Sequence, residues 1–188
     1  LAEAADVAET IDWTEAPWRA NFQMRSYIEN ELPALVQEKF PVGLSRQGIT
    51  GHSMGGHGAL TVALRNPARF KSVSAFSPIV SPTACAWGQK ALSGYLGTDR
   101  MAWNDYDACC LIEAGERLPD LLIDQGDADN FLADQLKTSQ LAETCERAGQ
   151  RATIRMQPGY DHSYNFVSTF LAEHVAWHAG RLNGGHGS

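Results

Sequence analysis

The segment Gly51-His52-Ser53-Met54-Gly55 constrains what this chain can fold into more than any other stretch of it. It has the form G-x-S-x-G, and it lies between residues that read as a strand, Gln47 to Thr50, and residues that read as a helix, Ser53 to Arg65. A strand that turns sharply into a helix at a serine lifts the hydroxyl above the sheet. It also aims the free N–H groups of the new helix at a developing anion. So tight a turn needs small neighbours, and Gly51, Gly55, Gly56, Gly58 and Ala59 supply them. The bare motif is common by chance; with a strand before it and a helix after it, Ser53 becomes a candidate nucleophile on an α/β scaffold.

The rest of the chain alternates in the same way. From about Trp18 to Phe40, apolar residues (Phe22, Met24, Tyr27, Ile28, Leu32, Leu35, Val36) recur at helical spacing; Pro41 ends the run and Pro33 predicts a kink or break near Asn30. The helix after the motif stops at Asn66-Pro67, and Lys71 to Phe76 alternates like a strand. Ser77 to Asp107 carries Pro78, Pro82, Gly88, Gly94 and Gly97 and reads as a long irregular stretch, the kind that forms a wall or lid over a site. Leu121 to Ile123 is a buried-strand run before Gly126. Phe131 to Ala148 then reads as helix, Ala152 to Met156 as strand, Pro158-Gly159 as turn and Tyr164 to Leu182 as the last helix. Gly184 to Ser188 reads as a flexible tail. Strands separated by helices of this length imply right-handed crossovers and a mostly parallel sheet flanked by helices, here in a single domain over residues 1–188.

Charge and composition narrow the function classes. Lys+Arg 15 against Asp+Glu 22 gives a formal net charge of −7, which argues against nucleic acid or an anionic membrane as partner. No apolar run approaches the ~20 residues that span a bilayer, and the N-terminus lacks a signal-peptide pattern, so a soluble protein is expected. Cys109 and Cys110 are adjacent while Cys85 and Cys145 are isolated, which suits neither zinc nor a disulfide framework; reduced thiols are expected. His174 and His178 are i,i+4 on a helix but lack the glutamate of an HExxH pattern, so no metal is expected there.

A serine hydroxyl needs a base to take its proton and a third group to hold that base. On this scaffold the order is Ser, then Asp or Glu, then His, each after a later strand. His52 and His57 belong to the elbow and its helix, His174 and His178 lie inside the last helix, and His186 is in the tail. His162, in Gly159-Tyr160-Asp161-His162-Ser163, follows a strand and precedes a helix, as a base should. For the acid, Asp124 is still strand-like and Asp134 already helical. Asp129, three residues past Gly126, is the leading candidate, with Asp127 as the alternative and Asp161 as a solvated or capping carboxylate.

The strings GHSMGGHGAL, FKSVSAFSPI, AWGQKALSGYLG, LLIDQGDADNFL and QPGYDHSYNFVSTF resemble S-formylglutathione hydrolases of the esterase D family, from about Glu15 to Leu182. The resemblance implies a cytoplasmic, cofactor-free serine thioesterase that splits S-formylglutathione into glutathione and formate in formaldehyde detoxification, with carboxylesterase side activity. It implies Ser53 as nucleophile, Asp129 as acid, His162 as base, Met54 as donor of one oxyanion N–H and Trp87 in the loop by the acyl site. Its partner is a small thioester, with a homodimer left open. Family members carry an N-terminal third that precedes the segment beginning here and holds the first strands and the second oxyanion donor, and residues 1–14 match poorly. An incomplete sheet is therefore expected. The competing readings are a general carboxylesterase or acyltransferase on the same scaffold, or an inactive truncated fragment.

Overall fold

Four parallel strands form the centre of the structure, a computed structural model that describes residues 10–184. They are β1 (Gln47–His52), β2 (Phe70–Phe76), β3 (Leu121–Gly126) and β4 (Ala152–Gln157), side by side in chain order. Between β1 and β2 runs α3 (Met54–Arg65), preceded in the chain by α1 (Met24–Ser26) and α2 (Leu32–Lys39). Helices α4 (Ala86–Leu96), α5 (Arg100–Trp103) and α6 (Ala108–Glu113) lie between β2 and β3, α7 (Thr138–Ala148) between β3 and β4, and α8 (Tyr164–Asn183) last.

Strand alternation sorts the two faces. Val73 and Ala75 of β2 and Leu121 and Ile123 of β3 join Leu60, Ala63 and Leu64 of α3, Ile112 of α6 and Leu141 of α7 in the main apolar core. Each valine, leucine or isoleucine among them contributes about 1.5–3 kcal/mol on burial. Ser72, Ser74 and Phe76 point the other way, toward α8. In the register, His52 lies beside Phe76, Phe76 beside Asp124, and Asp124 beside Arg155, so the strand ends from which the site is built are level.

The first helical run differs from the sequence reading in informative ways. It begins at Met24, and the break expected near Asn30 is a π-turn over Tyr27–Glu31 that leads straight into α2. Pro33 cannot supply the N–H that Glu29 would receive, and the guanidinium of Arg69 bonds that carbonyl instead, at 2.5 Å. Ile28 packs on the main core, whereas Met24, Tyr27, Leu32 and Leu35 stay exposed. Periodicity locates an apolar face; it does not say what covers it.

Ser77 to Asp107 is not the irregular stretch expected. It is largely helical, because its breaker residues sit at helix ends and contacts. Pro82 opens a 3-10 turn, Gly97 ends α4 at φ +76°, and a Cβ at Gly88 would run into the Pro82 backbone. Leu92, Tyr95 and Leu96 of α4 form a second core with Ile11 and Trp13, so residues near the start of the described chain are packed. Residues 1–9 and 185–188, which include most of the expected tail and His186, lie outside the described residues. The helix expected over Phe131 to Ala148 is also divided. A π-turn over Leu132–Leu136 ends at Lys137, left-handed at φ 59°, and α7 begins after it.

Candidate active site

Ser53 sits between β1 and α3 with φ 55° and ψ −115°, a strained conformation for a residue with a side chain. Its N–H donates to Phe76 O at 2.8 Å and its carbonyl accepts from His57 N–H at 2.9 Å, which holds the turn. A Cβ at Gly51 would collide with the Gly55 carbonyl, so Gly51 is sterically required, whereas a Cβ at Gly55 would meet open space. Gly56 lies against Pro78 and Ala75, and Gly58 admits Thr10. Gly51, Gly56 and Gly58 thus serve three different close contacts, whereas no contact requires the missing side chain of Gly55.

The loops after β3 and β4 are laced together. Ala128 N–H donates to Tyr160 O at 3.0 Å and Asp127 N–H to Gln157 O at 3.2 Å, and only a glycine at 126 lets the Tyr160 backbone come so close. This brings His162 between the other two candidates. His162 Nε2 is 2.8 Å from Ser53 Oγ, and His162 Nδ1 is 2.6 Å from Asp129 Oδ2. Asp129 also accepts from Phe131 N–H at 2.9 Å and from Gln125 Nε2 at 3.1 Å, and Thr138 Oγ1 donates to Gln125 at 2.8 Å. Burial alone would push the Asp129 carboxyl up, but hydrogen bonds from His162, the Phe131 N–H and Gln125 outweigh it and hold it below the usual carboxylate range. An ionised Asp129 can only accept, so Nδ1 carries the proton and the lone pair of Nε2 faces Ser53 Oγ. That arrangement can remove a proton from the serine.

These groups open into a cavity of about 520 Å³ lined by His52, Met54, Ile79, Trp87, Gln135 and Tyr164 among others. Met54 opens α3, where backbone N–H groups are unbonded by the helix itself, and Trp87 lies in the first turn of α4. His52, which the sequence places in the elbow and not as the base, is part of this wall. Its ring lies 4.7 Å from that of His162, and burial, then the neighbouring His162, lowers its pKa. Gln125, Phe131, Gln135 and Tyr164 were not singled out in the sequence. Only the proximity of Gln125 to the acidic turn could have hinted at one of them.

The remaining candidates go elsewhere. Asp127 accepts from Gly159 N–H at 2.7 Å and Asp161 from Ser163 N–H at 3.0 Å, both as exposed turn caps. His57 Nε2 bonds Tyr106 O at 2.7 Å. His174 and His178 bond side chains of the sheet. All four cysteines are free, and burial pushes the Cys110 and Cys145 thiols up to about 11. Among the described residues no group of His, Cys, Asp and Glu is placed to hold a metal ion, and no helix is long and apolar enough to cross a membrane.

Residues 6–179 match the family Esterase, described as "Putative esterase". The structure is similar to an S-formylglutathione hydrolase from Agrobacterium tumefaciens, with 52% identity and a TM-score of 0.90, over 93% of this chain and 63% of that one. The chain thus spans less than two thirds of that relative's length. It also resembles, in fold alone, an S-formylglutathione hydrolase from Staphylococcus aureus (21% identity, TM-score 0.69, covering 88% and 66% of the two chains). MPT51 of Mycobacterium tuberculosis is a third such structure (14% identity, TM-score 0.71, covering 93% and 74%).

Proposed function

The chain belongs to the esterase family, and from that premise we propose that it is a serine thioesterase that hydrolyses S-formylglutathione, with activity on small carboxylic esters as well. The observation that carries the chemistry is the contact sequence Ser53 Oγ–His162 Nε2 at 2.8 Å and His162 Nδ1–Asp129 Oδ2 at 2.6 Å, open to a cavity. The substrate is supported by the 52% identity to the Agrobacterium enzyme.

In this reading Ser53 Oγ attacks the thioester carbonyl carbon while His162 Nε2 takes its proton. The carbonyl oxygen becomes an oxyanion that accepts from the Met54 N–H at the start of α3; one such donor is worth roughly 10²–10³ in turnover. The C–S bond breaks as the imidazolium returns the proton to the leaving sulfur, which releases glutathione. Water, deprotonated by His162, then opens the formyl-serine and releases formate. Asp129 stays ionised throughout, orienting the imidazole and stabilising its charged form. Trp87 belongs to the wall beside the acyl group. The cytoplasm is the proposed compartment, where four free thiols persist.

The test compares wild type with Ser53→Ala on S-formylglutathione, on p-nitrophenyl acetate and with a fluorophosphonate. Expected are turnover of both substrates and covalent labelling of Ser53, all lost in the variant. Ester turnover without thioester turnover would reduce the reading to a general carboxylesterase. Acyl transfer to an added alcohol in preference to water would make the protein an acyltransferase, and labelling at any residue other than Ser53 would overturn the site.

A further inference from the structure

Helix α8 carries the base loop at its N-terminal end, yet buries only Phe166 and His174 among its twenty residues. Both grip one residue of the sheet. His174 lies face to face on Phe76, ring centroids 3.8 Å apart at 22°, and Phe166 meets the same ring edge-on at 5.9 Å. Phe76 is also the residue whose carbonyl accepts the Ser53 N–H. The helix that carries the base is therefore docked on the residue that holds the nucleophile's backbone.

His174 is bonded at both ring nitrogens. Nε2 lies 3.0 Å from Asp124 Oδ2 and Nδ1 lies 2.9 Å from Ser74 Oγ. Burial would raise the Asp124 carboxyl, but bonds from His174, Arg155 and Gln157 bring it down to about 2, so it is ionised and can only accept. Nε2 of His174 must then carry the proton, while Nδ1 faces the Ser74 hydroxyl, which also lies 2.9 Å from Thr50 Oγ1. Ser74 Oγ in turn lies 2.8 Å from His178 Nε2, and His178 Nδ1 lies 2.6 Å from Ser72 Oγ. Every group in the chain from Ser72 to Asp124 thus has a hydrogen-bond partner. Ser74, His174 and Asp124 repeat the contact order of the candidate active site, but they are 0%, 1% and 0% exposed, and no ester can reach Ser74.

We propose that His174 is a positioning residue: the buried Ser74–His174–Asp124 relay fixes the seating of α8 on β2 and thereby the approach of His162 to Ser53. Apolar contacts alone tolerate sliding, and one residue of helix rise is about 1.5 Å. Two directional hydrogen bonds to neighbouring strands do not tolerate it. A displacement of about 1 Å between reacting groups costs on the order of 10²-fold in rate, so fixing the seating bears on catalysis and not only on stability. The inference rests on the esterase reading above.

The experiment uses His174→Phe, which keeps a ring against Phe76 and removes both hydrogen bonds, while Arg155 and Gln157 still satisfy Asp124. Well below the unfolding midpoint, kcat and the rate of fluorophosphonate labelling of Ser53 should both fall by about tenfold or more, with KM changed less than about twofold. His174→Gln, which still reaches Asp124 as a donor, should recover part of the loss. If His174→Phe does not fold, Ser74→Ala carries the same readouts. Unchanged kcat per labelled serine, with only a lower Tm, would overturn the inference and leave the relay as packing. Wild type that neither turns over nor labels would overturn the esterase reading and this inference with it; labelled wild type with an unaffected His174→Phe overturns the inference alone.

Discussion

Asp129→Asn tests the site at the point where the structure makes the sharpest statement. The replacement amide has two orientations. With its NH₂ at the position of Oδ1, it would face the Phe131 backbone N–H, now 2.9 Å away, and two donors would meet with no group able to turn. With its NH₂ at the position of Oδ2, it faces Gln125 Nε2 at 3.1 Å, but Gln125, unlike a backbone N–H, can turn its amide away, giving up its bond to the Gly126 carbonyl while Thr138 Oγ1 changes from donor to acceptor. The second orientation wins. It places a donor against His162 Nδ1, so the imidazole must carry its proton on Nε2, the atom facing Ser53 Oγ. A base with its lone pair turned away cannot take the serine proton, and the fold need not change. The expected loss in kcat is about 10⁴-fold, the scale known for this tautomer error, or about 5 kcal/mol at ~1.36 kcal/mol per decade. The assay is kcat on S-formylglutathione and p-nitrophenyl acetate, with fluorophosphonate labelling rate alongside, for wild type, Asp129→Asn and Asp127→Asn. Asp127 only caps the turn at Gly159, so its variant should stay near wild type. An active Asp129→Asn, or a damaging Asp127→Asn, would refute the reasoning.

Two glycines of the elbow should part company. Gly51→Ala drives a Cβ into the Gly55 backbone and should cost on the order of 2–4 kcal/mol in urea unfolding, whereas Gly55→Ala meets open space and should change stability by less than about 1 kcal/mol. Equal effects would mean the turn relaxes. Acid should weaken the protein in two stages. Burial, then His174 and Arg181, depress His178 from 6.5 to about 4, so the unfolded chain takes up the extra proton and stability falls as pH drops from about 6.5 to about 4. Asp124, held at about 2 against 3.8, adds a loss as pH falls from about 3.8 to about 2. Denaturant midpoints across this range should flatten in the upper window for His178→Asn and in the lower one for Asp124→Asn; unaltered profiles would show that the titrations lie elsewhere.

What the sequence determined by itself is local. A serine between two short-range patterns, strand and then helix, specifies the elbow, since its glycine and its turn act within a few residues. His162 and Asp129 were legible for the same reason, each standing just after a strand and just before a helical run, and the parallel α/β order follows from the alternation. Tertiary structure decided the rest. The helices of Ser77 to Asp107 were masked because Pro82, Gly88 and Gly97 read as breakers, while their actual places are a first turn, a close contact and a C-terminal cap. Lys137 turns left-handed in what reads as unbroken helix. No spacing rule joins Ser74 to His174, a hundred residues apart, or sets His52 beside His162. Periodicity and turn chemistry act between near neighbours, whereas hydrogen bonds across layers depend on how whole elements come to rest on one another.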